Sequence, residues 1–418
     1  MTDTRRSTLP PSEPLPPARV ETTDEAAHRV GLSLPSRSHR FWTWPIAVVA
    51  LLVLIAVATA GVLPSEILAS KVTADGASER TPFARTPAAA QPVDDRIVFG
   101  DLGDAAEQFP PQGDIYFVTV IEPSQSLLSW FAGRDDPAVQ FLTNEEKFGV
   151  QTPQQRRRFA LESMRSSEQE AQFVALQRLG FNVDIQPGDV LIRDMVCLEA
   201  SEDASECIDW SPSDDVLDPG DRILEAEGQP IDGVEDLSQI LDGLLPGDVV
   251  SMRIDRPEQG ELDVDVELTV APTDPDRTIV GFYPFDTRSI ELPFELDIDT
   301  GSIGGPSAGL AFTLTLIDEL TDGELTGGGR VAVTGTINLD GTVGAIGGLR
   351  QKASAVAQTG VEVFLVPTSQ GEADIEAARQ AAGDRVEIVP VATLEEAIDA
   401  LAARGGAPIP SAADLAAS

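Results

Sequence analysis

The alternation of polar and apolar positions changes period several times along the chain, and each change marks a predicted segment. Residues 1–42, which include PPSEPLPPAR and scattered Ser, Thr and Arg, have no apolar period and read as a disordered tail. From Trp44 to Leu63 the chain carries no formal charge and is rich in Val, Leu, Ile and Ala. At about 1.5 Å per helical residue this run reaches roughly 30 Å, the depth of a bilayer's hydrocarbon core, which predicts a transmembrane helix over 43–63. Trp42 and Trp44 sit where interfacial aromatics belong, Arg37 and Arg40 precede the run and Glu66 follows it, so the N-terminus is expected in the cytoplasm and the remainder outside. A cleaved signal peptide is the alternative; the long polar leader and the length of the apolar run favour an uncleaved anchor. Residues 64–110, rich in Ala, Pro, Asp and Gly, read as a linker holding the outer domains clear of the membrane.

Ordered structure is expected to begin with Asp114-Ile115-Tyr116-Phe117-Val118-Thr119-Val120, whose β-branched and aromatic content predicts a strand. Helical spacing of Phe159, Leu161, Met164, Phe173, Leu176 and Leu179 predicts a helix over about 153–179. This strand and helix (111–180) are expected to pack on the next domain. Short strands then alternate with turns to Pro272, and Val216–Leu241 sets out a Pro-Gly-Asp turn, a strand, a Gly-containing turn and an amphipathic helix. A second domain, 274–404, opens on a Gly-rich stretch followed by the apolar helix LAFTLTLIDEL, and 405–418 read as a flexible tail.

Composition narrows the chemistry. A chain of 418 residues has room for two or three domains. Its net charge of −40 argues against nucleic acid or an anionic lipid surface as a partner, since Coulomb repulsion opposes both. Both histidines, His28 and His39, precede the apolar run. If that run spans a membrane, Ser-His-Asp, Cys-His and His-ligated metal chemistry are unavailable beyond it. The only cysteines, Cys197 and Cys207, are close enough for a local disulfide, contributing roughly 2–3 kcal/mol in an oxidising compartment. Two free or metal-binding thiols are the alternative, but the further ligands zinc needs are missing, so no metal and no cofactor are expected.

The Gly-rich stretch Gly301–Gly309 places Ser307 at the start of the apolar helix, beside unpaired N–H groups and the positive dipole end. Those are the parts of an oxyanion hole, expected around Gly305, Pro306 and Ala308. Taken alone, the same residues make a turn with a plain serine N-cap. Lysine usage weighs against the plain reading: lysine occurs only at 71, 147 and 352, so the C-terminal domain uses arginine for every positive charge but one. Arginine is always protonated, whereas a buried lysine can lose its proton near neutral pH. Lys352 follows a Gly-Gly turn at the start of a helix, and a neutral amine there could accept the Ser307 proton. Asp340, the nearby carboxylate, falls in a predicted exposed turn.

With these residues in view, GGPSAG, VTGTINLDGTVGAIGGLRQK and FLVP resemble the proteolytic domain of the Lon family over about Arg277 to Leu401. The resemblance implies Ser307 as nucleophile, Lys352 as its base and Thr334 as the residue that orients the pair. It also implies a ring, a hexamer. The Val216–Leu241 pattern resembles a PDZ domain over 181–273, with Cys197 to Asp215 as an insertion. Arg178-Leu179-Gly180-Phe181 then has two readings, the loop that grips a peptide's terminal carboxylate or an ordinary helix stop with Gly180 at the C′ position.

Two departures matter. Gly304 stands where typical Lon enzymes carry an acidic residue, and no GxxxxGK[ST] phosphate loop occurs, so no ATPase is expected here. The expected fold class is α+β multidomain: one N-terminal transmembrane helix, a PDZ-like domain and a Lon-type α/β proteolytic domain. As a whole the chain resembles the membrane-anchored, PDZ-containing Lon-like proteases of bacteria. The resemblance implies an ATP-independent serine endopeptidase acting on flexible or unfolded segments of extracytoplasmic or membrane proteins or peptides, with the PDZ-like domain recognising substrate or gating access. A self-processing protein acting in cis and a non-catalytic PDZ scaffold are its rivals.

Overall fold

The computed structural model describes residues 37–72, 78–149, 151–200 and 207–409. The chain divides into two units, residues 1–60 and 61–418. Helix α1 (Arg37–Val62) dominates the first. Its stretch Trp44–Val62 has a mean hydropathy of 2.7 and none of it is buried, which makes it the helix long and apolar enough to cross a membrane among the described residues. Part of the predicted disordered tail, residues 37–42, is helical, and the rest of it lies outside the described residues.

Among its described residues the second unit holds two six-stranded sheets, besides five two-stranded ladders. The first is built on β1 (Phe83–Pro92), β2 (Asp114–Ile121) and, after the short helix α2 (Leu127–Gly133), β3 (Gln140–Leu142). The long helix α3 (Pro153–Arg178) follows. A capping box starts it, with Thr152 accepting from the Gln155 N–H and Pro153 occupying the first turn, where its missing donor costs nothing.

The second sheet is built on β4 (Asp184–Met195), β5 (Arg222–Ala226), β6 (Val249–Arg256), β7 (Gly260–Glu267) and β8 (Phe282–Glu291), in the order β7-β6-β5-β4-β8, all antiparallel. Helix α4 (Val234–Leu241) crosses over between β5 and β6. Val190, Ile192, Ile223, Leu237, Val250, Met252, Ile254 and Phe282 form its separate core. A disulfide joins Cys197 to Cys207, with Cα atoms 5.7 Å apart, across a hairpin at the edge of this module.

The chain then returns to the first sheet. Helix α5 (Gly309–Glu319) is mostly apolar, with Asp318 and Glu319 at its end, and is buried along its whole length. It leads to β9 (Arg330–Val333), α6 (Leu349–Val356), β10 (Val363–Pro367), α7 (Glu372–Ala382), β11 (Glu387–Val391) and α8 (Leu394–Ala402). The strand order is β11-β10-β9-β2-β1-β3, with β2, β9, β10 and β11 parallel and β1 antiparallel to both its neighbours. Phe117 on β2 packs against Phe312 on α5, ring centroids 6.0 Å apart.

Several expected boundaries give way to this topology. The predicted linker contains β1, whose Ala84 is fully buried, and Ile97–Phe99, which pairs with Leu296–Ile298. Ala and Pro content suggested a chain too polar and too interrupted to pair. However, β3 covers only Phe83–Arg85, so Pro87 and Pro92 face no third strand, and the ladder is irregular between Pro87 and Ala90. Residues 111–180 belong mainly with the first sheet: β2 is one of its central strands and α3 packs along α5. The second sheet extends past 273 to take β8, because β4 needs a partner on its free edge. Residues 405–409 pack down rather than trail away, with Ile409 buried in the main core and the Ala407 N–H donating to Glu324; 410–418 lie outside the described residues.

Because Ala84 is buried in a strand, Ala84→Asp forces a carboxylate into the core and is expected to cost on the order of 3 kcal/mol. Denaturant unfolding tests it: an unchanged midpoint would return residues 83–92 to linker status.

Candidate active site

Ser307 lies in the turn that enters α5, half-buried. Gly305 adopts a φ of +96°, open to glycine at little strain. Gly304 is pressed against α3: a Cβ there would lie 2.9 Å from the Ala160 Cβ. That contact explains the departure at this position, since α3 fills the space an acidic side chain would need.

The loop is fixed from both sides. Gly305 donates its N–H to the Ala160 carbonyl at 2.7 Å, and the Ser307 carbonyl accepts from the Gly335 N–H at 3.0 Å and from Thr334 Oγ1 at 3.1 Å. Lys352, on the first turn of α6, points into the same place. Its Nζ stands 2.7 Å from Ser307 Oγ and 3.0 Å from Thr334 Oγ1. Thus the three residues singled out in the sequence, 45 and 18 positions apart, meet at one amine.

Lys352 is only 2% exposed. Burial, reinforced by the charge of Arg85, brings its amine down to about 7. Arg85 is itself held by Glu122, Nε to Oε1 at 2.8 Å, and Arg156 binds the other Glu122 oxygen at 3.1 Å. Neither Arg85 nor Glu122 was legible as a site residue. Arg85 sits in the Pro- and Ala-rich stretch that reads as linker, and no local signal marks it. Asp340 is exposed in its turn, its carboxylate accepting from the Thr342 N–H and hydroxyl, well away from this role.

Two cavities meet at Ser307. One, about 750 Å³, is lined by Gly304–Ser307 and Ala345–Gly347 together with Arg85, Glu122, Arg156 and, from β4 of the second sheet, Arg193 and Asp194. The other, about 430 Å³, is mostly apolar, with Phe117, Val118, Met164, Ile303 and Ala308 around Ser307 and Lys352.

The predicted oxyanion residues need correcting. The Gly305 N–H is already spent on Ala160, and Pro306 has no N–H. The donors left are the N–H groups of Ser307 and Ala308, which no hydrogen bond among the described residues engages.

The predicted carboxylate loop is corrected as well. Leu179, Gly180 and Phe181 donate their N–H groups to the carbonyls of Ala175, Gln177 and Leu176, which closes α3 in a Schellman stop with Gly180 at φ +86°. Phe181 packs on Phe294. These amides have nothing left for a peptide. A groove of about 540 Å³ does exist elsewhere, between α4 and Arg277–Pro284, lined by Leu237, Leu241, Val280 and Phe282. Val280-Gly281-Phe282 repeats the apolar-Gly-apolar pattern of Leu179-Gly180-Phe181, and only the fold tells which copy faces the helix.

Residues 296–404 match the C-terminal proteolytic domain of Lon protease (S16). Over 118 residues the chain is 35% identical to the Lon protease of Neorickettsia sennetsu, and over 133 residues 32% identical to that of Clostridioides difficile. These alignments cover 28% and 31% of this chain but 14% and 16% of those relatives, so the chain spans less than a sixth of their length. Three strands of the first sheet, β1, β2 and β3, precede the matched residues, and the second sheet is inserted between them and the rest. The PDZ domain of an SdrC-like protein from Listeria monocytogenes aligns with 22% of this chain and 86% of its own, at 19% identity and a TM-score of 0.17.

A buried lysine is a burden on stability. Its folded value of about 7 lies below the unfolded ~10.4, so between those values the unfolded chain binds more protons and stability rises with pH; below about 7 the whole cost applies. Lys352→Met is therefore expected to stabilise the fold at pH 7, by up to about 4 kcal/mol, with the advantage shrinking toward pH 10. Urea unfolding at the two pH values checks this, and a gain that does not depend on pH would contradict it.

Proposed function

We propose that this chain is a membrane-anchored serine endopeptidase in which Ser307 and Lys352 form the catalytic pair. The observation that carries the reading is the 2.7 Å approach of Ser307 Oγ to a buried amine that is largely neutral above pH 7. The matched Lon-type domain supports the same chemistry.

The hydrogen-bond pattern orders the protons. Thr334 donates its hydroxyl to the Ser307 carbonyl, so its lone pair faces Lys352 and accepts an amine hydrogen. The amine lone pair is thereby left for the Ser307 hydroxyl. Ser307 Oγ attacks the scissile carbonyl as its proton passes to Lys352, and the N–H groups of Ser307 and Ala308 receive the oxyanion. Lys352 then returns the proton to the leaving amine, and water hydrolyses the acyl-enzyme with Lys352 as base again.

The apolar cavity beside Ser307 suits a medium-sized apolar side chain next to the scissile bond, and the larger, charged cleft suits the extended chain beyond it. The second sheet acts as a PDZ-like module that takes peptide ends in the groove beside α4 and contributes Arg193 and Asp194 to the cleft mouth. Helix α1 holds the body outside the membrane with the N-terminus in the cytoplasm. Without a phosphate loop in this chain, cleavage proceeds without ATP and is confined to flexible or unfolded protein segments.

Lys352→Arg keeps the charge but supplies a group that cannot accept a proton, so peptidase activity is expected to fall as far as in Ser307→Ala, because the pair acts as one unit. Activity of the unaltered protein is expected to rise with pH through about 7. Turnover retained by a folded Lys352→Arg protein would end the Ser-Lys mechanism. Mixing unaltered protein with Ser307→Ala protein and an unfolded substrate distinguishes this from self-processing: cleavage of either in trans is expected, and cleavage only in cis would favour the rival reading.

A further inference from the structure

One apolar patch on the second unit serves neither the cleft nor the groove. After α1 the chain passes through Leu63 and Pro64 into a single 3-10 turn, Ser65–Ile67. Helix α2 is clamped to it: Leu127 donates its N–H to the Leu63 carbonyl and Ser65 to the Gln125 carbonyl, both at 2.9 Å. Leu128 Cδ2 lies 3.8 Å from where a Cβ of Gly61 would be. Ile67, Leu68, Leu128 and Phe131 are all exposed here, Leu68 and Phe131 to 68% and 59%. Leu128 and Phe131 share one face of α2 at i, i+3 spacing. The Arg134 guanidinium sits over the Phe131 ring at 4.2 Å and near Trp130 at 6.0 Å.

Position then decides what covers the patch. A bilayer of about 40–45 Å has a hydrocarbon core of about 30 Å, leaving a headgroup layer of roughly 5–8 Å on each side. Leu63 is one residue past the end of α1, an advance of about 3.5 Å at most. A helix hydrogen-bonded to Leu63 cannot stand clear of that layer. Aromatic rings, leucine and an arginine that can lift its charge to water are also the side chains this layer accepts.

We infer that Ile67, Leu68, Leu128 and Phe131 form a foot that rests in the phospholipid headgroup layer. The inference rests on α1 being a membrane anchor. It also sharpens the substrate class: Glu122, which lines the cleft at Ser307, precedes Leu127 by five residues, about 18 Å at full extension. The cleft is thereby held near the membrane surface, where the segments within reach are those flanking the spans of membrane proteins.

The test uses the full chain in phosphatidylcholine vesicles, with a nitroxide on Leu128→Cys or Phe131→Cys. Because Cys197 and Cys207 are paired, the new thiol alone takes the label. Leu54→Cys reports the anchor, and Leu245→Cys, 66% exposed, reports water. Relaxation by oxygen relative to a water-soluble nickel chelate is expected to be several-fold higher at 128 and 131 than at 245 and to stay below the value at 54, which lies in the middle of the span. Values at 128 and 131 equal to that at 245, with 54 in lipid, would refute the foot and leave the anchor standing. A water-like value at 54 would overturn both. Labels at 128 and 131 shielded from both reagents would mean that protein, such as a second copy, covers the patch, and the inference would fall.

Discussion

The amine of Lys352 is the constraint on which the site depends. A lysine 2% exposed, with no carboxylate beside it among the described residues, is tolerable only if it gives up its proton near neutral pH. Everything around it serves that condition. Helix α6 packs its small residues on β1 and β2, closing water out, and Arg85 adds a second positive charge that opposes protonation. Glu122 is bound to two arginines, Arg85 and Arg156, so its charge is engaged by them and it makes no ion pair with Lys352 among the described residues. A base is thus made from a residue that is ordinarily an acid, by burial more than by any specific partner.

Order along the chain and order in space differ in a way that matters for function. Strands β1 and β2 and helix α3 come before the second sheet, yet the strands complete the first sheet and α3 covers the loop that carries Ser307. Helix α3 is the element common to both modules: its Ala160 fixes Gly304 and Gly305, its N-terminal turn brings Arg156 to the cleft, and its far end stops at Gly180 just before β4 begins. A displacement of the second sheet would therefore move Arg193 and Asp194 at the cleft mouth directly, and the serine loop through α3. The contact at Gly304 shows why glycine suits this position, since a Cβ there would press on Ala160 of α3.

The candidate site was legible in the sequence because it rests on rare residues, and the fold brings Ser307, Thr334 and Lys352 together. Two histidines confined to one side of the apolar run, three lysines in 418 residues, and one serine at the mouth of an apolar helix leave few combinations, and residue type alone sets which of them can donate or accept a proton. Helices α1 and α5 were legible for a similar reason: long apolar runs admit little besides a membrane or a core. What only the tertiary structure decided is where backbone groups spend their hydrogen bonds and which strands pair across distant parts of the chain. Gly305 and Leu179–Phe181 offer amides in the sequence that the fold has already used, Val280-Gly281-Phe282 faces the groove that an identical-looking tripeptide does not, and β1, with Arg85 on it, looks like linker until β2 supplies a partner. Periodicity reports which face of an element is apolar; it carries no information about which other element, a hundred or more residues away, completes the pair.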